Sequence, residues 1–171
     1  MKTPLCDFCL RSGILCSRCE EKVRSGVITK LFMEVAKFLL KLEERYPILQ
    51  EVFLKDVIEG DDIMALIVDR GDMGKILSYG GKIVRSVSEA FGRRVKVLES
   101  GVSDRKFLED LFAPYRILMI NVIWLPDGTT ETRVVLDRKS RRIEPKTVEA
   151  LKKIAKKARD ITLRVEFKRG R

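Results

Sequence analysis

Two adjacent glycines inside residues 69–99, DRGDMGKILSYGGKIVRSVSEAFGRRVKVLE, restrict this chain more than any other feature. Apolar residues on either side of them recur at helical spacing, which predicts a short helix at 73–77, a tight turn Ser78-Tyr79-Gly80-Gly81, an amphipathic helix at 82–91 and a strand at 94–98. Two helices meet at so sharp a turn only where the backbone takes conformations that a side chain obstructs, and Gly80-Gly81 removes the obstruction. A bare turn also admits another backbone. The second helix begins directly after the glycines, so its free N–H groups and the positive end of its dipole face outward beside Lys82 and Arg85. That arrangement seats a phosphate and reads as a nucleic-acid clamp.

DMGKxLxxxGGKxV followed by FGRRVKVLE is similar to the first KH domain of the archaeal NusA-like RNA-binding proteins, in which Ile-Gly-x-Gly-Gly takes the place of Leu77-Ser78-Tyr79-Gly80-Gly81. Ser78 stands where that family carries its first glycine. KH modules grip a few single-stranded nucleotides with this turn and an adjoining apolar groove. The resemblance implies RNA binding at Lys75, Ser78, Tyr79, Gly80, Gly81, Lys82 and Arg85, with Ile76, Leu77, Ile83, Val84 and Val87 as the groove floor. At the tip of the turn, an exposed Tyr79 ring would either stack on a base or lie flat as a surface cover.

The flanking segments fit the same module. Ser25 is the expected N-cap of a helix whose apolar positions Ile28, Leu31, Phe32, Val35, Phe38, Leu39 and Leu42 follow a 3.6-residue period, with Pro47 ending it. Two β-like runs, 50–58 and 63–69, are joined by the hairpin Glu59-Gly60-Asp61-Asp62. The resulting order α-β-β-α-α-β is that of a type II KH domain, a three-stranded sheet covered by helices on one face. Downstream, Ser103 caps a helix at 104–112, strands are expected at 116–125 and 130–137, a helix at 145–159 and a strand at 161–168. Val68-Asp69-Arg70 aligns with Leu136-Asp137-Arg138, so the chain reads as two copies of one module. FLEDLFAP…INVIWLPDG resembles the second KH domain of the same family. The expected fold is α+β, with a zinc knuckle at 1–24, a first KH-like domain at 25–99 and a degenerate second one at 100–171.

The second copy has Glu144-Pro145-Lys146-Thr147 in place of the glycine turn. Proline fixes the backbone there and Glu144 repels phosphate, so base reading is not expected. The helix that follows carries Lys152, Lys153, Lys156 and Lys157, backed by Val148, Leu151, Ala155 and Ala158. A basic face on an anchored helix holds an RNA backbone without reading sequence. Charge distribution points the same way. The net charge is +10, and residues 138–171 carry fourteen Lys and Arg against four Asp and Glu, which accounts for the whole excess. A concentrated basic end favours a polyanion partner through counterion release.

All four cysteines lie in Cys6-x-x-Cys9 and Cys16-x-x-Cys19. Each Cys-x-x-Cys aims two thiolates at one point, and two of them supply the tetrahedral sulfurs of a closed, structural zinc site, Cys6, Cys9, Cys16 and Cys19. Residues 10–15 should fold back as a knuckle hairpin. So short a segment has no core of its own, so the metal supplies most of its folding energy. Paired disulfides, a thiol redox centre and an iron–sulfur cluster are the competing readings. Leu5, Phe8, Ile14 and Leu15 are available to pack on the next domain.

Histidine is absent, which removes the usual general base near neutral pH and every triad built on one. No enzymatic activity is expected. Asparagine and glutamine occur once each in a chain with 35% charged residues, a balance typical of a thermophile's cytoplasm. No segment approaches the ~20 continuous apolar residues of a membrane span. A soluble, cytoplasmic protein is expected. The NusA-like resemblance implies binding of nascent single-stranded RNA in transcription elongation or termination. The alternative is a protein that docks on RNA polymerase or the ribosome, using the KH fold and the knuckle as contact surfaces.

Overall fold

Each Cys-x-x-Cys begins a short helix. In a computed structural model that describes residues 1–138 and 142–168, α1 spans Asp7–Ser12 and α2 spans Ser17–Arg24, with Cys6 and Cys16 as their N-cap residues. The expected knuckle hairpin is therefore a pair of helices. Gly13, at φ +77°, closes α1 by donating its N–H to the Cys9 carbonyl at 3.0 Å, and the chain turns from there into α2. Ser25 ends α2, its N–H bonding the Glu21 carbonyl at 2.9 Å, so it cannot also begin the next helix. Thr29 caps that helix instead. Its hydroxyl accepts the Phe32 N–H at 3.1 Å, and α3 runs over Lys30–Glu43.

A 3-10 turn at Pro47–Glu51 replaces the start of the first expected strand. Then follow β1 (Leu54–Gly60), β2 (Ile63–Val68), α4 (Met73–Leu77), α5 (Lys82–Phe91) and β3 (Arg94–Glu99), with sheet order β1-β2-β3. One core cluster joins them. Phe32, Val35 and Leu39 of α3, Met64, Leu66 and Val68 of β2, Ile76 of α4, and Ile83 and Val87 of α5 are all fully or almost fully buried in it. Leu5, Cys9, Leu10 and Cys19 lie in the same cluster, so the cysteine segment shares the core of the module rather than forming a separate bead. Its extended start is also stitched to the sheet: Lys2 donates its N–H to Val52 at 2.8 Å and accepts from Leu54 at 2.9 Å.

The chain divides into two compact units, Met1–Glu59 with Met64–Gly101, and Gly60–Ile63 with Val102–Arg171. In the second, Ser103 caps α6 (Asp104–Phe112), its hydroxyl accepting the Lys106 N–H at 3.2 Å. There follow β4 (Ile117–Trp124), β5 (Thr130–Asp137), α7 (Pro145–Arg159) and β6 (Leu163–Lys168). β5 is central, antiparallel to β4 and parallel to β6, with Val134 paired to Ile120 on one side and Val165 on the other. Phe107, Leu108, Leu111 and Phe112 of α6 and Leu151, Ile154 and Ala155 of α7 are buried. Among the described residues a single helix joins β5 to β6, where the first unit has two. Arg169, Gly170 and Arg171, the expected continuation of the basic end, lie outside the described residues.

The fold is α+β with two KH-like modules, the first preceded by the cysteine cluster. Among the described residues no helix is long and apolar enough to cross a membrane.

Candidate nucleic-acid interface and metal centre

Helix α4 stops where its backbone changes hand. Tyr79, Gly80 and Gly81 take φ values of +55°, +65° and +75°, consecutive left-handed residues that reverse the chain between α4 and α5. Gly80 and Gly81 occupy this region without strain, whereas Tyr79 does so against a steric penalty of order 1 kcal/mol or more. A methyl group built on Gly80 or on Gly81 would meet no atom within 4 Å, so the turn is open. Ser78, in the place of the family's first glycine, is extended at φ −61°, ψ 175°, a conformation any residue adopts. Its hydroxyl donates to the Lys75 carbonyl at 2.5 Å and ties off the end of α4.

The cations near this turn fall into two groups. Lys75 is held by the protein: its Nζ bonds Asp72 Oδ1 at 2.9 Å and lies 3.6 Å from Glu51 Oε2, and the Asp72 carboxylate raises its pKa above the ordinary lysine value. Lys82 and Arg85, at the start of α5, are exposed, and neither has an acidic partner among the described residues. They are the charges available to a ligand. The expected groove floor is largely core, since Ile76, Ile83 and Val87 are fully buried, leaving Leu77, 46% exposed, and the half-buried Val84 on the surface.

Asp72 is a residue the sequence reading passed over. It is 7% exposed, and its second oxygen accepts the Phe53 N–H at 2.9 Å, which fixes the start of α4 against the approach to β1. Glu99 braces the same point by accepting from Gly71 at 2.9 Å and Met73 at 3.2 Å. The first link joins residues nineteen apart and the second residues up to twenty-eight apart, so no local pattern reveals either. Asp72→Ala is expected to destabilise the protein by about 1–3 kcal/mol in urea unfolding, because it orphans the Phe53 N–H. Unchanged stability would show that the brace is dispensable.

The basic helix is more committed than expected. Lys152 bonds Glu149 at 2.9 Å, Lys153 bonds Asp61 at 2.8 Å within the second unit, and Lys156 bonds Asp160 at 2.6 Å, while Lys157 is exposed. Arg159 stacks over the Phe107 ring at 4.5 Å and bonds Asp104 at 2.8 Å. Exposed ion pairs like these contribute little to stability, of order 0–1 kcal/mol each, and they still neutralise much of the face.

Elsewhere in the first unit, the sulfurs of Cys6, Cys9, Cys16 and Cys19 lie within 4.8 Å of one another. Cys6 and Cys9 Sγ are 3.0 Å apart and Cys19 Sγ is 3.8 Å from Cys6 Sγ. A tetrahedral zinc with Zn–S bonds of about 2.3 Å requires sulfur separations of about 3.8 Å, so the donor set fits after sub-ångström adjustments. Backbone N–H groups support the sulfurs from outside: Cys16 donates to Cys9 Sγ at 3.1 Å and Cys6 to Cys19 Sγ at 3.5 Å. A Cys19 N–H bond in turn holds the Cys16 thiol down to about 7. Cys9 and Cys19 are buried, while Phe8 and Ile14 beside them are 68% and 69% exposed.

No protein-family model matches the chain. A Methanocaldococcus jannaschii protein named "Probable transcription termination protein NusA" is 31% identical over 96 residues, which cover 53% of this chain and 51% of that protein. Over those residues this chain is similar to that archaeal protein. A second protein of the same name, from Methanococcus vannielii, is 26% identical over 62 residues, 36% of each chain. The chain thus spans about half the length, or less, of the curated relatives it matches. The crystal structure of APE1850 superposes with a TM-score of 0.54 at 19% identity, over 76% of this chain and 96% of that one, which establishes a shared fold.

Proposed function

We propose that this NusA-like chain is a non-catalytic, cytoplasmic RNA-binding protein of transcription elongation or termination, holding single-stranded RNA at the 78–81 turn. The observation that carries the reading is the open left-handed turn flanked by the exposed Lys82 and Arg85, which meet no acidic group among the described residues. Backbone N–H groups and two free cations around a bare surface are suited to a sugar-phosphate strand. Ser78 positions the turn and Lys75 lies at its rim. On α7, Lys152, Lys153, Lys156 and Lys157 form a weaker electrostatic track, since three of them must leave or share a carboxylate. The names of the relatives, transcription termination proteins, support the assignment to transcription; in this reading RNA polymerase is the partner machine. The cysteine cluster holds a structural zinc that folds residues 1–24 onto a first KH domain at 25–99, and a second KH domain follows in the chain at 100–171.

The decisive substitution is Gly81→Asp, which places a carboxylate where the phosphate lies. Aspartate tolerates the left-handed region better than most side chains, and the site has room for it. Single-stranded RNA binding is expected to weaken by about 1–3 kcal/mol with the fold intact by circular dichroism. Undiminished affinity would move the function to the second reading, a docking protein of RNA polymerase or the ribosome. The exposed Phe8 and Ile14 on the cysteine segment favour that role for this end of the molecule.

A further inference from the structure

Tyr79 is held in the left-handed region, φ +55°, in a turn where glycine would sit without strain. Its ring is 51% exposed, and it packs on Tyr46 with centroids 5.0 Å apart at a 53° tilt. Tyr46 is itself 6% exposed, so its ring is a fixed wall behind a half-free one. The Arg45 guanidinium lies 5.6 Å from the centroid of the Tyr46 ring, and Arg45 is exposed with no acidic partner among the described residues. Arg45, Tyr46 and Tyr79 thus form a short ladder of cation, buried ring and half-exposed ring, ending one residue before the open glycines.

We infer that this ladder is a base subsite: Tyr79 stacks on one unpaired base of the RNA, Tyr46 is the positioning residue that sets the ring, and Arg45 contacts a neighbouring phosphate. The inference rests on the RNA-binding reading of the turn and adds that the strand is held by a base as well as by its backbone. Three features favour an RNA strand over an apolar partner. The surroundings of the half-exposed ring are cationic: Arg45 lies over the Tyr46 ring on which Tyr79 packs, and the exposed Lys82 and Arg85 follow Tyr79 by three and six residues. The adjoining turn is bare backbone, able to accept phosphate but offering little apolar area. Prior immobilisation of the ring by Tyr46 also lowers the ordering cost of stacking a base on it.

The test compares a single-stranded oligo(A) RNA of roughly ten nucleotides with an abasic strand of the same length and backbone charge. For the wild-type protein the bases are expected to improve affinity about ten-fold or more, as stacking on an aromatic ring does. Tyr79→Gly removes the ring and relieves the strained φ, so the melting temperature should hold while the preference for oligo(A) over the abasic strand collapses. A purely structural role would lower stability and weaken both strands together. Tyr46→Leu should lose part of the preference and Tyr46→Phe should retain it. Equal weakening of both strands by Tyr79→Gly, or no weakening of either, overturns the subsite. Gly81→Asp distinguishes the two levels: if it weakens both strands while Tyr79→Gly spares the preference, the clamp stands and the subsite falls; if it weakens neither, both fall.

Discussion

Cys9→Ser is expected to abolish zinc binding at neutral pH and to destabilise the first unit by roughly 3–5 kcal/mol, a value at the upper end for single substitutions. The size follows from where the sulfur lies. Cys9 is 1% exposed and belongs to the same buried cluster as Phe32, Val35 and Leu39. Serine at that position leaves a buried hydroxyl and an open coordination site, and the remaining thiolates would then repel one another without a cation between them. The loss would not stay local. Lys2 is paired with the segment around Phe53, and the Phe53 N–H is bonded to Asp72 at the start of α4, so fraying of the cysteine segment reaches the helix that leads into the 78–81 turn. Metal analysis and thermal unfolding with and without a chelator measure both effects. A chelator should reproduce the destabilisation in the wild-type protein and add little in the variant. A metal-free wild type with four titratable thiols and unchanged melting would remove the zinc assignment.

Reversal of both exposed cations, Lys82→Glu with Arg85→Glu, is expected to weaken single-stranded RNA binding by about 3–6 kcal/mol, with each lost charge-assisted contact contributing of order 1.5–3 kcal/mol. Loss of two phosphate contacts should also reduce the slope of log affinity against log salt by about 1.4. The α7 lysines form the internal comparison. Lys152, Lys153 and Lys156 already sit beside Glu149, Asp61 and Asp160, so a ligand gains less from them than from cations that face water alone. Reversing Lys152, Lys156 and Lys157 should therefore flatten the salt slope less than reversing two residues of α5. Titrations at several salt concentrations read both sets, and a larger effect from α7 would relocate the main phosphate track to the second unit.

Much of the first module was legible because its signals are local. The elements around the glycine pair were expected at 73–77, 82–91 and 94–98 and lie at Met73–Leu77, Lys82–Phe91 and Arg94–Glu99, since apolar periodicity and two glycines leave few alternatives. The helix Pro145–Arg159 was legible for the same reason, with proline at its first position and a regular buried face. The start of α3 was misread: Ser25 and Thr29 are both capable caps, and which one acts depends on α2 reaching Arg24, a consequence of the cysteine geometry. The knuckle hairpin was misread likewise, because Cys-x-x-Cys brings two sulfurs together as well on the first turn of a helix as in a β-turn.

Chemistry confined to a few neighbouring residues was fixed before the chain folded: the four clustered cysteines of the candidate metal centre, the bare reversal at Gly80-Gly81 and the identity of the cations beside it. Which of those cations remain free was settled by folding, for Lys75 meets Asp72 and Glu51, and Lys153 meets Asp61, ninety-two residues away, while Lys82 and Arg85 meet no acid among the described residues. The prop of Tyr46 behind Tyr79 is of the same kind. Spacing along a chain encodes backbone conformation because steric preferences act over a few residues, whereas charge neutralisation and ring packing depend on groups brought within a few ångströms by burial of the core.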